Sequence, residues 1–315
     1  MKKNDLCQIC KQKTNSKKII TRSKKKLKIF NCKKCDFEFF LSEKKNNLKN
    51  DKLDSFRLKN AGLKINQKKQ DIINGTYQAQ EYIKIHLKGN KKLKILDIGC
   101  SWGYFLNECK KKGHDVYGLE VNKIRKNYVN QKLKIKCFEV IKDLPKIEFD
   151  KIFLFYSLEY ISKPQEFIKS LKNLLKKSGE IIIYTPNKND HINKIFNIKN
   201  YNNFFYEENS INYFSKSSLI KLAKNIKSKY KIELYQGYSF VNFINWFFHK
   251  KPFNTGFVGK DYFIDELVKD LKKNNKKNKI VKRKLITFFI ELNKKFKKLL
   301  INNDISNTII FKVKW

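Results

Sequence analysis

ILDIGCSWGYFLNECKKKGHDVYGLE, residues 95–120, is the stretch of this 315-residue chain that decides its fold. It predicts a strand, a turn, a helix and a second strand. The first strand is indicated by the mainly apolar run from Leu93 to Ile98, which leads into the turn. Gly99 and Gly103 carry no Cβ, so the backbone there can turn tightly and approach a ligand. Glu120 ends the second strand, at the edge where open α/β sheets bind ligands. Since a carboxylate there can accept hydrogen bonds from both hydroxyls of a ribose, the stretch predicts a site for an adenosine-containing cofactor.

The residues of the turn distinguish between two kinds of nucleotide-binding fold. A dinucleotide site is expected to show G-x-G-x-x-G. This chain has G-x-S-x-G instead, with Asp97 inside the preceding strand. The pattern resembles motif I of the class I S-adenosylmethionine-dependent methyltransferases, and the resemblance covers about residues 93–187. Further matches to that family are the strand, helix and strand of residues 149–187, Leu158-Glu159-Tyr160, and Thr185-Pro186-Asn187.

The resemblance implies both a fold and a cofactor. The fold class is α/β, a Rossmann-like seven-stranded methyltransferase sheet with helices on both faces. The cofactor is S-adenosylmethionine, with its methionine part on the glycine loop, its ribose on the acid after the second strand, and its adenine against the next apolar residue. The residues implied for cofactor binding are Asp97, Gly99, Cys100, Ser101, Gly103, Glu120, Val121 and Tyr156.

Four cysteines near the start of the chain have the spacing of a metal site. Cys7-x2-Cys10 and Cys32-x2-Cys35 are separated by 21 residues, which suits a tetrahedral four-thiolate zinc site. Residues 1–42 are therefore predicted to form a zinc ribbon, with Zn²⁺ supplying much of its folding energy. Disulfides are the alternative, which the absence of a signal peptide disfavours. The remaining cysteines, Cys100, Cys109 and Cys137, are expected to be small buried residues of the core.

The formal net charge of +42 has two explanations, a nucleic-acid partner or the composition of the genome. Clustered cations bind nucleic acid by releasing counterions, so RNA is one candidate partner. However, the lysines are spread over the whole chain and arginine is scarce, which favours a compositional origin in an A/T-rich genome. Either origin favours acidic substrates, such as nucleotide diphosphates.

The rest of the chain is divided by composition and pattern. Residues 43–75 are predicted to be a linker with a helical segment, and residues 76–315 the methyltransferase domain, with a helical cap inserted at 240–305. Residues 280–301 form a basic amphipathic helix, which either packs on the sheet or lies on an anionic membrane surface. There is no apolar run long enough to span a membrane and no signal-peptide pattern, so a cytoplasmic location is expected.

Candidate catalytic residues follow the predicted fifth strand. The zinc ribbon, Thr-Pro-Asn and INYFSKSSL (211–219) together resemble a group of bacterial methyltransferases that includes sugar C-methyltransferases. That group carries Tyr-x-Glu-His, and this chain has Tyr206-Glu207-Glu208-Asn209, without the histidine. The predicted catalytic residues are Glu208 as the base, Tyr206 and Asn209. Because a carbon acid needs a stronger base than a hydroxyl does, O-methylation is favoured over C-methylation.

The sequence thus predicts an S-adenosylmethionine-dependent methyltransferase. Its expected acceptor is an anionic small molecule, namely a nucleotide-linked sugar or a surface glycan. One alternative is a methyltransferase of ribosomal RNA bases, although Phe155-Tyr156-Ser157-Leu158 stands where many base N-methylating enzymes have Asn/Asp-Pro-Pro-aromatic. The other is a non-catalytic zinc-ribbon adaptor, which the intact Asp97, Gly99, Gly103 and Glu120 disfavour.

Overall fold

The structure is a computed structural model, and it describes residues 6–41, 68–89, 91–196, 198–250 and 279–315. The predicted linker, except for residues 68–75, and residues 251–278 of the predicted cap therefore lie outside the described residues. No helix in the described ranges is both long and apolar enough to cross a membrane.

The elements follow one another in α/β order after an N-terminal group of strands. The strands are β1 (Asn15–Ile20), β2 (Lys26–Cys32), β3 (Phe37–Phe40), β4 (Lys94–Ile98), β5 (Asp115–Leu119), β6 (Lys136–Phe138), β7 (Phe149–Phe155), β8 (Leu175–Pro186), β9 (Asn212–Tyr213), β10 (Lys229–Tyr235) and β11 (Thr308–Lys314). The helices are α1 (Lys68–His86), α2 (Tyr104–Lys111), α3 (Lys123–Gln131), α4 (Pro164–Ser170), α5 (Lys199–Phe205), α6 (Lys216–Asn225), α7 (Phe240–His249) and α8 (Lys279–Asn302).

The larger sheet has seven strands in the order β10-β11-β8-β7-β4-β5-β6. β11 pairs antiparallel to both of its neighbours, and the pairs from β8 through β6 are parallel. The strand order reverses between β4 and β7. The chain adds β5 and β6 on one side of β4, and then adds β7 and β8 on its other side. The fold predicted from the sequence, a Rossmann-like methyltransferase sheet with helices on both faces, is confirmed.

Alternate residues of the central strands enter two apolar cores. Ile95 of β4, Phe153 of β7 and Ile182 of β8 pack with residues of α1, α2 and α3. Their neighbours Leu96 and Ile152 turn to the opposite face, where the core includes residues of α4 and α6. Because both faces of the sheet are covered, its strands read as nearly continuous apolar runs.

The smaller sheet joins the N-terminal strands to the rest of the molecule. Its order is β1-β2-β3-β9, so a strand that follows α5 completes a sheet begun by residues 15–40. Glu38 and Phe39 of β3 pair antiparallel with β9. Phe37 also packs on Phe214, with ring centroids 5.3 Å apart. The N-terminal unit, residues 6–41, is called the ribbon below.

A lysine whose side chain is only 9% exposed adds an electrostatic contact to this joint. Lys188, which follows β8, lies 2.6 Å from Asp36 and 3.8 Å from Glu38, measured from Nζ to carboxylate oxygens. Asn189 also donates a hydrogen bond to Asp36. Burial opposes ionisation of both acids. Lys188, together with hydrogen bonds from Asn189 to Asp36 and from Tyr206 to Glu38, outweighs burial, so the pKa of each acid lies below its ordinary value.

We predict that Lys188→Met lowers the free energy of unfolding at pH 7 by roughly 2 kcal/mol. Breaking a fully buried ion pair costs about 3–5 kcal/mol, and the partial exposure of Asp36 reduces that cost. Because the pKa values of both acids are lowered in the folded state, the stabilisation exists above their unfolded pKa values and is lost as the pH falls through the folded ones. The difference between wild type and variant in urea unfolding should therefore shrink in acid.

The matched control is Lys216→Met. Lys216 pairs with Asp304 at 2.9 Å, but both side chains are largely exposed. Exposed pairs contribute little, so this variant should unfold within about 0.5 kcal/mol of wild type. Equal losses in the two variants would contradict a special role for Lys188.

Candidate functional site

A cavity of about 670 Å³ opens at the carboxyl ends of the central strands. It lies at the point where the strand order reverses, which is where open α/β sheets bind ligands. One part, called the cofactor end, is lined by residues that follow β4, β5 and β6 in the chain: Gly99, Ser101, Glu120, Val121, Asn122, Arg125, Val140 and Ile141. The other part, called the acceptor end, is lined by Arg22, Glu159, Tyr160, Asp190, Tyr201, Phe204, Phe205, Glu207, Ser210, Asn212, Tyr213, Tyr238, Asn307 and Thr308.

The glycine turn at the cofactor end requires residues without a side chain. Gly99 has φ 78° and Gly103 has φ 71°, both in the left-handed region. A Cβ on Gly99 would come within 2.3 Å of Ser157 Oγ. The backbone N–H of Gly99 donates to Leu119 O at 2.8 Å, which ties the turn to the end of β5. The turn thus leaves a backbone-lined recess that any larger residue at 99 would fill.

Glu120 is held in place by the two loops on either side of it. Its carboxylate accepts hydrogen bonds from the N–H of Ser101 at 2.9 Å and of Asn122 at 2.8 Å. Burial raises its pKa, and the backbone donors partly oppose that rise. The carboxylate is therefore fixed beside the cavity in the position predicted for an acceptor of ribose hydroxyls.

Asp97 gives a test of whether the cofactor end suits its predicted ligand. Its side chain is buried, and its Oδ1 has no hydrogen-bond partner in the structure. Burial, followed by the nearby charge of Glu120, raises the pKa of Asp97 to about 8. A bound cation would favour the ionised form of this acid. S-adenosylmethionine carries positive charge on its sulfonium and its ammonium group. The unpaired Asp97 oxygen is therefore compatible with this cofactor, because a cation nearby would favour its ionised form.

The predicted cofactor residues have three kinds of position. Gly99, Ser101, Glu120, Val121 and Tyr156 line the cavity, whereas Asp97 and Gly103 are not among the lining residues. The side chain of Cys100 turns away from it, because its Sγ packs 3.6 Å from Cys137 Sγ within the core. Cys100 could therefore contact a ligand only through its backbone.

The predicted catalytic residues lie outside the cavity lining. Glu208 faces the ribbon, where its Oε2 is 2.7 Å from Lys25 Nζ. Tyr206 donates a hydrogen bond to Glu38 at 2.7 Å, and Asn209 is also absent from the lining. Their neighbours Glu207 and Ser210 are the members of this segment that reach the acceptor end.

Asp190 and Tyr201 form a buried pair at the acceptor end. Tyr201 donates its hydroxyl to Asp190, whose other oxygen accepts the N–H of Asn193 at 2.8 Å. Burial raises the pKa of Asp190 to about 7. An acid with a pKa near neutrality is well matched to proton transfer at physiological pH.

The ribbon contributes Arg22 to the acceptor end. Arg22 follows β1 in the turn that leads to β2, and its guanidinium lies 3.9 Å from the ring centroid of Phe204. Its Nε donates to Phe204 O at 2.8 Å, and its Nη1 lies 3.7 Å from a carboxylate oxygen of Glu207. Sequence reasoning missed Arg22, Asp190 and Tyr201, because no local motif links residues so far apart in the chain.

The four N-terminal cysteines are brought together as predicted. The sulfurs of Cys7, Cys10, Cys32 and Cys35 all lie within 4.8 Å of one another. All are thiols without a disulfide, and the sulfurs lie 3.3 Å apart in Cys10–Cys32 and 3.5 Å apart in Cys7–Cys35. Four thiolates at this spacing can surround one metal ion.

Comparison with known proteins agrees with this geometry. Residues 70–226 match the family model described as "Methyltransferase domain". A solved S-adenosylmethionine-dependent methyltransferase from Archaeoglobus fulgidus superposes with a TM-score of 0.50 at 17% identity, covering 84% of this chain and all of that one. The fold and the matched domain thus define a class I S-adenosylmethionine-dependent methyltransferase domain.

Two curated relatives share part of that domain. The ubiquinone biosynthesis O-methyltransferase of Pelagibacter ubique (strain HTCC1062) is 33% identical over 107 residues, which are 31% of this chain and 44% of the relative. The protein of the same name from Idiomarina loihiensis is 26% identical over 117 residues, which are 34% of this chain and 48% of the relative. The matched part spans less than half the length of either relative.

We predict that Glu120→Ala weakens binding of S-adenosylhomocysteine by about 10- to 100-fold, as measured by isothermal titration calorimetry. A hydrogen bond to a charged group contributes about 1.5–3 kcal/mol, and each 1.4 kcal/mol is tenfold in affinity. Glu166→Ala, which removes an exposed carboxylate paired with Lys163, should leave the affinity unchanged. Unchanged affinity in Glu120→Ala would mean that the nucleoside binds elsewhere.

Proposed function

We propose that this protein transfers the methyl group of S-adenosylmethionine to a hydroxyl of an anionic small molecule, a nucleotide-linked sugar or a surface glycan. The observation that carries the proposal is a single cavity, in which a backbone-lined cofactor end continues into an acceptor end of aromatic and acidic side chains. The relatives' names, both of them O-methyltransferases, support oxygen as the acceptor atom.

The acceptor end can recognise both parts of such a molecule. Arg22 supplies a guanidinium, whose planar set of donors matches a carboxylate or phosphate. Phe204, Phe205 and Tyr213 offer ring faces and edges on which a compact ring can pack. The net charge of +42 further favours the approach of an anion.

The reaction needs alignment and one proton acceptor. S-adenosylmethionine, when bound, supplies an activated methyl group. In our proposal the acceptor hydroxyl lies against Tyr201, passes its proton to the Tyr201 oxygen, and Tyr201 passes its own proton to Asp190. With its proton on this pair, the acceptor oxygen would be the nucleophile for the methyl group that the cofactor supplies. The buried rings of Tyr201 and Tyr213 line this part of the cavity and limit the contact of the proton path with water.

We predict that Asp190→Asn lowers the rate of methyl transfer by about 100-fold or more, since a positioned base contributes about 10²–10⁴-fold. Affinity for S-adenosylhomocysteine should stay at the wild-type value. The wild-type rate should rise with pH through about 7, where Asp190 loses its proton. Asn cannot take that proton, so the variant should lack this rise.

Glu208→Gln is the matched control for Asp190→Asn. Glu208 was the base predicted from sequence, and its carboxylate is bound by Lys25 at the ribbon. The proposal expects this variant to keep most of the activity. If Glu208→Gln were inactive and Asp190→Asn active, the base would be Glu208 and the proton path through Tyr201 would be wrong.

The acceptor class is tested by transfer of labelled methyl groups into fractionated host extract. Label in the fraction of small anionic metabolites or glycans would support the proposal. RNase-sensitive label would instead assign the protein to RNA. The recessed position of the acceptor end favours the first result, because a base in an RNA duplex would have to be flipped out of its stack to enter it.

The proposal includes Zn²⁺ bound by Cys7, Cys10, Cys32 and Cys35, in a structural role because four thiolates leave no open coordination position. It also places the protein in the cytoplasm, where thiols stay reduced.

We predict one zinc ion per chain by elemental analysis. Cys32→Ser should lose the zinc and unfold at a lower temperature, whereas Cys109→Ser, which alters a core thiol, should retain the metal. A wild-type protein without zinc would contradict this part of the proposal.

A further inference from the structure

The long helix α8 presents two apolar faces. One of them packs against the protein, where Ile286 and Leu300 are buried and Phe296 lies 5.4 Å from Phe240 of α7, measured between ring centroids. The sequence allowed residues 280–301 to pack on the sheet, whereas this contact is with α7. It accounts for only part of the helix's apolar surface.

The second apolar face is exposed in the part of the chain that the structure describes. Val281, Leu285, Phe288 and Leu299 are 55%, 49%, 57% and 61% exposed. Their spacing of four, three and eleven residues places them within about 60° of one another around a helix with 3.6 residues per turn. They therefore form one stripe along α8, called the outer stripe below, rather than scattered surface positions.

The charges of α8 are strongly of one sign. Its 24 residues include eight lysines and arginines and one acid, Glu291. A helix that combines an exposed apolar stripe with an excess of basic side chains has the two features by which interfacial helices bind anionic lipid. Lysines and arginines close to the membrane surface are attracted by anionic headgroups. Apolar side chains gain free energy of transfer when they enter the boundary between headgroups and acyl chains.

Nucleic acid would use only one of these features. Phosphate binding depends on cations and their counterions, and it needs no aligned apolar side chains. An exposed row of large apolar residues is typical of an interaction surface. The outer stripe therefore favours lipid over RNA as the partner of α8.

We propose that the outer stripe of α8 binds an anionic membrane surface, with Val281, Leu285, Phe288 and Leu299 entering the headgroup–acyl boundary and the basic side chains of α8 contacting lipid phosphates. The chain is thereby a peripheral membrane protein. This proposal does not depend on the acceptor of the methyl group.

The test is co-sedimentation of the purified full chain with vesicles, in the absence of any methyl donor or acceptor. Vesicles of phosphatidylcholine with one-third phosphatidylglycerol should bind the protein, and vesicles of phosphatidylcholine alone should bind it at least tenfold more weakly. The double variant Leu285→Ser/Phe288→Ser should lose about tenfold or more in partitioning, because two large apolar side chains no longer enter the bilayer.

Ile124→Ser is the matched control, because Ile124 on α3 is 54% exposed and lies outside the outer stripe. It should partition like wild type. Both substituted sites are on the surface, and retained affinity for S-adenosylhomocysteine verifies that each variant is folded.

Two results would overturn the proposal. Absence of binding to anionic vesicles would exclude a lipid-binding surface. Equal partitioning of wild type and of Leu285→Ser/Phe288→Ser would mean that charge elsewhere on the molecule, rather than the outer stripe, attracts the vesicles. If the vesicles fail to bind while a double-stranded RNA binds wild type and variant equally, the basic charge serves nucleic acid.

Discussion

The contact on which the arrangement of this protein depends is the buried attachment of the ribbon to the methyltransferase domain. Lys188 leaves the end of β8 and lies between Asp36 and Glu38 of the ribbon. β9 extends the ribbon sheet beside them. Because an uncompensated buried charge is costly, the lysine and the two acids favour a single seating of the ribbon. The position of the ribbon on the domain determines which ribbon residues face the cavity.

One consequence is that the acceptor end is assembled from two separate parts of the chain. The turn after β1 brings Arg22 onto Phe204, the loop after β8 brings Asp190, and α5 brings Tyr201. The cation thus follows a strand of the smaller sheet, and the acid pair follows a strand of the larger one. A metal ion among the four cysteines would act on this end indirectly, by holding the strands that carry Arg22.

The sequence predicted the cofactor end and missed most of the acceptor end, for a physical reason. Gly99 and Glu120 follow consecutive strands, and parallel strands deliver their carboxyl ends to one edge, so a local motif suffices. Arg22 and Asp190 line the same cavity only because of tertiary packing, so no spacing in the sequence predicts that they lie there together. Glu208 was predicted as a base from local similarity, but the ribbon's Lys25 binds its carboxylate.

The central claim is that the cavity beside Glu120 holds an adenosyl sulfonium cofactor and not a dinucleotide. Calorimetric titration of the purified protein tests this most directly, with S-adenosylhomocysteine and NAD⁺ compared in the same buffer. Our account predicts one S-adenosylhomocysteine per chain, displaced by S-adenosylmethionine and unaffected by NAD⁺. Binding of NAD⁺ at this site, or no binding of S-adenosylhomocysteine, would contradict it.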